Sequence, residues 1–114
     1  MRPETLELSR KIGALPGAPV FRVMDRYLRV DDDRLLDTDG VMWTLAPDRR
    51  RWILDLDSAA TGGAMLPHCG WVQVLWTNHD SVNIGWGVGV DQSADAPTLA
   101  AALARVLVAR GRWS

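Results

Sequence analysis

Along the chain, apolar residues recur first at helical spacing, then at alternate positions, then at helical spacing again. Residues 3 to 13 predict a short helix. Pro3 suits a first turn, Glu4 favours the positive end of the helix dipole, and Gly13 suits an exit. Leu8 and Ile12 share one face of it, and Glu7 and Lys11 are spaced to pair on another. Pro16-Gly17 then breaks the chain. Residues 20 to 30 fit a helical stripe (Val20, Val23, Met24, Tyr27, Leu28) or one or two short strands. The β-branched and aromatic content and the meander that follows favour strands.

From residue 31 onward the period is two. Asp31-Asp32-Asp33 predicts a turn, Leu35-Leu36 a short strand, and Asp39-Gly40 a tight hairpin into a strand over Val41–Leu45. After a turn at Ala46–Arg49, Trp52, Leu54 and Leu56 alternate with Ile53, Asp55 and Asp57, which predicts one dry face and one wet, edge-protecting face. Residues 58 to 70, with Gly62-Gly63 and Pro67, predict a short helical turn or a loop. A strand over Trp71–Trp76 follows, with Trp71 and Trp76 on opposite faces, then a hairpin loop over residues 77 to 81.

The return strand is the most regular: Val82, Ile84, Trp86, Val88 and Val90 on one face, and Asn83, Gly85, Gly87, Gly89 and Asp91 on the other. Glycine weakens a strand, so three on one face need a cause. Either the alanine-rich final helix packs on that bare backbone, which is the favoured reading, or a partner approaches it. The final helix shows Leu99, Leu103, Val106 and Leu107 at i, i+4, i+7 and i+8, with Asp95 or Ser93 as cap, Pro97 in its first turn and Gly111 as its exit. The predicted fold is a single α+β domain over residues 1 to 114: an antiparallel meander with an N-terminal and a C-terminal helix packed on it.

Composition agrees with one folded domain. Leu, Ile, Val and Phe make up 29 of 114 residues, above the ~20% below which chains tend to stay disordered. The net charge of −1 argues against a broadly basic nucleic-acid binder. The single cysteine, Cys69, excludes an internal disulfide, and no apolar run approaches the ~18 residues of a membrane span. A soluble cytoplasmic protein is expected.

Candidate chemistry is sparse. With Gly40 as the sixth residue of a calcium loop, its first and twelfth positions would be Leu35 and Ala46, which carry no ligand oxygen. His68, Cys69 and His79 lack the spacing of a zinc site, so no metal or other cofactor is expected. His79-Asp80-Ser81 names triad residues, but consecutive side chains diverge. Asp55 and Asp57 are better explained by a solvated face than by acid–base work. Arg49-Arg50-Arg51 lies in a turn between Trp-bearing strands, and Arg112-Trp113 closes the chain. An ordinary solvated surface is the plain reading of these residues; as a binding feature, Arg and Trp near one another suit protein contacts better, on this charge balance, than single-stranded nucleic acid. Trp71 joins them as a candidate contact, because six tryptophans exceed the needs of one small core.

Three segments carry a resemblance. ETLELSRKIGALPG (4–17), LDLDSAATG (54–62) and ADAPTLAAALARVLVARG (94–111) are similar to segments of small uncharacterised phage and prophage proteins, including the phage ABA-sandwich type. Ser58-Ala59-Ala60 departs from the Asp-Pro typical of that pattern. The resemblance implies a fold and a phage-like origin and supplies no catalytic residues. Together these observations predict a non-enzymatic module that binds a host protein through Arg49, Arg50, Arg51, Trp71, Arg112 and Trp113. Its concrete form is an inhibitor of a host defence system, anti-CRISPR-like, acting by occlusion. The alternative is a self-associating structural or assembly protein, a homo-oligomer joined through sheet edges or the Gly/Trp face.

Overall fold

In the computed structural model, residues 2–21, 27–29, 33–78, 80–87 and 92–114 are described, with 27–29 by backbone alone. Residues 88–91 (Gly89 among them), His79, Asp31, Asp32, and residues 22–26 and 30 of the ambiguous segment 20–30 lie outside them.

Helix α1, Pro3–Gly13, begins with proline and carries Glu4 in its first turn and Arg10 and Lys11 in its last, each favourable to the dipole. Its most buried residues are Thr5, Ser9 and Ile12, with Leu8 half-covered. Polar residues can sit inward here because they have partners: the Ser9 hydroxyl donates to the Leu54 carbonyl, and Thr5 Oγ1 donates to the Arg2 carbonyl at 2.8 Å. The exposed Lys11–Glu7 pair, at 3.5 Å, contributes little.

The first sheet contains β1 (Tyr27–Arg29), β2 (Arg34–Leu36), β3 (Met42–Leu45) and β4 (Trp52–Leu54), antiparallel throughout in the order β1-β2-β3-β4. The expected β2–β3 hairpin is present, but its loop is wider than a two-residue turn, since Leu36 pairs with Met42. Asp37 organises it. One carboxylate oxygen accepts from the N–H groups of Asp39 and Val41, both at 2.9 Å, and the other accepts from Trp43 Nε1 at 3.3 Å. Gly40 takes φ +80° to close the turn.

The wet face expected beyond β4 is not wet at Asp55. Strand pairing ends at Leu54, and Asp55 and Leu56 are both fully buried. Asp55 tolerates this because Arg34 Nε reaches its Oδ2 at 3.2 Å and the Asp57 N–H donates to its Oδ1 at 3.0 Å. Asp57 faces outward and pairs with Arg2 at 2.8 Å. The two carboxylates therefore serve different partners.

Residues 58 to 70 are helical: α2 (Ala59–Met65) runs into a single 3₁₀ turn at Leu66–His68. Thr61 ties α2 to β3 by donating to the Met42 carbonyl at 3.0 Å and accepting from the Met42 N–H at 3.1 Å. The second sheet, β5 (Gln73–Asn78), β6 (Ser81–Trp86) and β7 (Gln92–Ala96), is antiparallel in the order β5-β6-β7. The single predicted meander is thus two sheets, with α2 between them in sequence.

The last helix, α3 (Leu99–Arg110), is capped by Thr98, whose hydroxyl accepts from the Ala101 N–H at 3.1 Å. Asp95 and Ser93, the expected caps, belong instead to β7, a strand that its small and polar residues, Gln-Ser-Ala-Asp-Ala, concealed. Gly111 at φ +77° ends α3 as expected. Seven α3 residues (Ala100 to Ala104, Val106 and Leu107) are buried, a wider surface than one stripe. The alanines let α1, α2 and the second sheet approach from several sides.

The glycine that permits close helix packing is Gly62 on α2: a Cβ there would lie 2.9 Å from the Ala100 backbone nitrogen. Gly85 does not play this part. Val82, Ile84 and Trp86 face the core with α3, so alternation turns Gly85 to the other face of the sheet. Strand β6 ends at Trp86, and Gly87 takes φ +91°.

Candidate protein-contact surface

Of the six residues predicted to touch a partner, three converge at the end of α3. Arg110, in the last turn of that helix, donates from Nη1 to the Cys69 carbonyl and from Nη2 to the Trp71 carbonyl at 3.0 Å. The turn between the 3₁₀ segment and β5 is thereby clamped to α3. Gly70 sits in it at φ +71°, where a Cβ would approach Ser114 Oγ to 3.1 Å. Trp71 precedes β5 instead of occupying it, and its side chain is 66% exposed. Gly70, Trp71, Arg110, Arg112, Trp113 and Ser114 surround a depression of about 360 Å³.

Trp113 forms the base of that corner and is not a contact in its own right. It is 4% exposed, and its Nε1 donates to the Ile12 carbonyl at 2.7 Å. Its backbone N–H donates to Pro16 O at 3.0 Å, and that of Ser114 to His68 O at 3.1 Å. Phe21 meets the rings of Trp113, Trp43 and His68 edge-on at centroid distances of 6.3, 6.0 and 5.6 Å. The end of the chain is therefore a structural anchor, and Arg112 beside it is exposed.

The arginine run lies elsewhere. Arg49 adopts φ +58° in the β3–β4 turn, and the Arg50 N–H donates to Asp48 Oδ1 at 3.2 Å. Arg50 and Arg51 line a separate, broader depression of about 590 Å³ with Arg10, Asp48 and Trp52; Arg49 lines neither. The negative C-terminal end of α1 and Asp48 temper the positive charge there.

Three residues that shape these surfaces were not named as contact candidates from the sequence. Arg110 was read only as a favourable charge at a helix end, whereas it holds the Trp71 turn. Trp76 and Leu75 on β5 are 57% and 58% exposed. The odd separation of Trp71 and Trp76 required either that both faces of the sheet be covered or that one ring be exposed, and both rings are exposed.

Cys69 is fully buried, its Sγ donates to the Met65 carbonyl at 3.2 Å, and burial pushes its thiol up to about 12. Among the described residues no three His, Cys, Asp or Glu side chains are placed to hold a metal ion. No described helix is long and apolar enough to cross a membrane. Comparison with protein-family models, curated proteins and solved structures gives no match.

Proposed function

We propose that the chain is a non-enzymatic protein-binding module that meets its partner at the Trp71–Arg112 corner. One observation carries the reading: Trp71 holds a large ring in solvent while Arg110 pins the turn that bears it. A turn whose backbone is fixed in advance loses less conformational freedom on binding, which helps the aromatic residue it carries to dominate an interface. The exposed two-thirds of such a ring, on the order of 160 Å², corresponds to about 4 kcal/mol of gross apolar burial. Arg110 and Arg112 around it favour a partner surface that offers carboxylates beside an apolar pocket. The phage resemblance supports a finer form, occlusion of a host protein, with an inhibitor of host defence as the concrete case.

The experiment is affinity capture from host cells with the intact chain, repeated with Trp71→Ala and Arg112→Glu. A partner that uses this corner loses at least ~30-fold in affinity with Trp71→Ala, the equivalent of a 2 kcal/mol hot spot. Arg112→Glu slows association and removes its salt dependence. Partners retained equally by both variants would refute the assignment of this surface. Self-association is a second reading, favoured by a different feature, the open edge of β5.

A further inference from the structure

Strand β5 is uncovered to an unusual degree. Five of its six residues are exposed, and among the described residues no strand pairs with its outer edge. Alternate residues of an edge strand direct N–H and C=O groups away from the sheet, and natural edges are usually blunted by charge, proline or brevity. Charge, proline and brevity do not apply here: from Cys69 to Asn78 the chain reads CGWVQVLWTN, with neither a charged residue nor a proline, and the one register shift of β5 falls late, between Trp76 and Asn78. The opposite edge of the same sheet is protected. Strand β7 carries Asp95, hydrogen-bonded to Asn83 at 2.9 Å, and runs directly into Pro97. One open edge and one closed edge allow a closed pair and disfavour an open-ended fibre.

We infer that β5 pairs antiparallel with β5 of a second copy, joining two three-stranded sheets into one of six strands about a two-fold axis at Leu75. Self-pairing is favoured over a foreign strand because a two-fold axis sets each residue near its own copy. A charged edge would repel itself there, and this edge carries no charge. Register follows from the pattern. Directly opposed residues share a sheet face, so Val74 and Trp76 lie on the face of Ile84 and Val82, and Gln73 and Leu75 on the other. With Leu75 on the axis, Val74 meets Trp76 of the second copy twice, a β-branched–aromatic pairing, and the register shift between Trp76 and Asn78 ends regular pairing beyond them. Moving the axis to Trp76 would instead set Val74 against Asn78 and forfeit both pairs. The half-exposed Trp76 and Leu75 together with the edge backbone supply on the order of 500 Å² per copy, about 1,000 Å² in all. That lies at the lower limit of specific interfaces, so the association expected is weak, with a dissociation constant on the order of micromolar or above.

The test is the molar mass of the full chain by sedimentation from about 1 to 200 µM, across that range. The expected result is a shift from one to two copies of the 12.6 kDa chain. Leu75→Lys, which sets two ammonium groups against each other on the axis, abolishes the shift, while Val20→Lys, at a position 90% exposed, leaves it intact. Circular dichroism checks that both variants are folded. Register is read by mild oxidation. Leu75→Cys forms an intermolecular disulfide, since opposed Cα atoms lie about 5 Å apart. Gln73→Cys does not, because its two copies are offset by four residues, about 13 Å. The native Cys69, fully buried, does not compete. A single-chain mass at 200 µM, a dimer that survives Leu75→Lys, or equal cross-linking at both positions would overturn the inference. None of these outcomes bears on the Trp71–Arg112 corner, whose variants leave the β5 edge intact.

Discussion

Adjacent glycines in α2 should respond in opposite directions to the same substitution. Replacing glycine by alanine inside a helix gains up to about 1 kcal/mol from backbone entropy and propensity. At Gly63 nothing lies within 4 Å of the added Cβ, so that gain is realised, somewhat reduced by the shortness of α2. At Gly62 the same methyl would lie 2.9 Å from the Ala100 nitrogen and 3.0 Å from Leu99 Cβ and Cγ. The first obstacle is backbone and cannot swing aside, so α2 must back away from α3. Overpacking of this kind costs about 1–3 kcal/mol, which outweighs the propensity gain and leaves Gly62→Ala about 0.5–2 kcal/mol less stable. For a domain of this length 1 kcal/mol moves the melting temperature by roughly 4 °C. Thermal unfolding followed by circular dichroism, at one fixed protein concentration because dimerisation would shift the midpoint, should show Gly63→Ala up by about 2–4 °C and Gly62→Ala down by about 2–8 °C. A Gly62→Ala protein as stabilised as Gly63→Ala would refute the close approach of α2 to α3.

Two further outcomes follow from buried polar groups. Asp37→Ala removes the acceptor for two backbone N–H groups and for the Trp43 indole, at a residue 2% exposed, and should cost about 2–4 kcal/mol in urea unfolding, with Asp37→Asn recovering part of it. The Cys69 thiol, raised by burial from 9.0 to about 12, stays neutral in the folded chain while the unfolded chain ionises near its ordinary value. Its contribution to stability is thus complete below about pH 9 and is lost as pH rises towards 12, with a slope of at most about 1.4 kcal/mol per pH unit. Unfolding titrations from neutral pH to pH 10 should show that decline in the native chain and a shallower one in Cys69→Ala; identical slopes would remove Cys69 as its source.

Local pattern carried much of the architecture. Pro3, Glu4 and Gly13 marked α1, Asp39-Gly40 marked the β2–β3 connection, and the stripe from Leu99 to Leu107 marked α3. Trp86 was placed in the core by alternation alone. These features are legible because each rests on neighbours within a few residues: a dipole, a turn that needs positive φ, or a period matched to one face. Trp71 was raised as a candidate by the surplus of tryptophans over one small core, and Arg112 by its proximity to an aromatic residue.

Where partners come from distant parts of the chain, the pattern misled. Asp55 reads as a solvent-facing residue in an alternating strand, yet Arg34 arrives from another strand and makes its burial tolerable. Trp113 reads as a surface ring in a short polar tail, yet the Ile12 carbonyl, 101 positions away, supplies its hydrogen bond. Gly62 and Gly63 are indistinguishable in sequence, and only the approach of α3 separates an obligatory glycine from a replaceable one. Sequence by itself determined the first and last helices, most of the segments that are extended, and the α+β class, because those properties follow from local sterics and from burying one face. Tertiary structure decided that the strands divide into two sheets, which tryptophans remain in solvent and which sheet edge stays open. Those outcomes depend on distant residues meeting, and no local period encodes that.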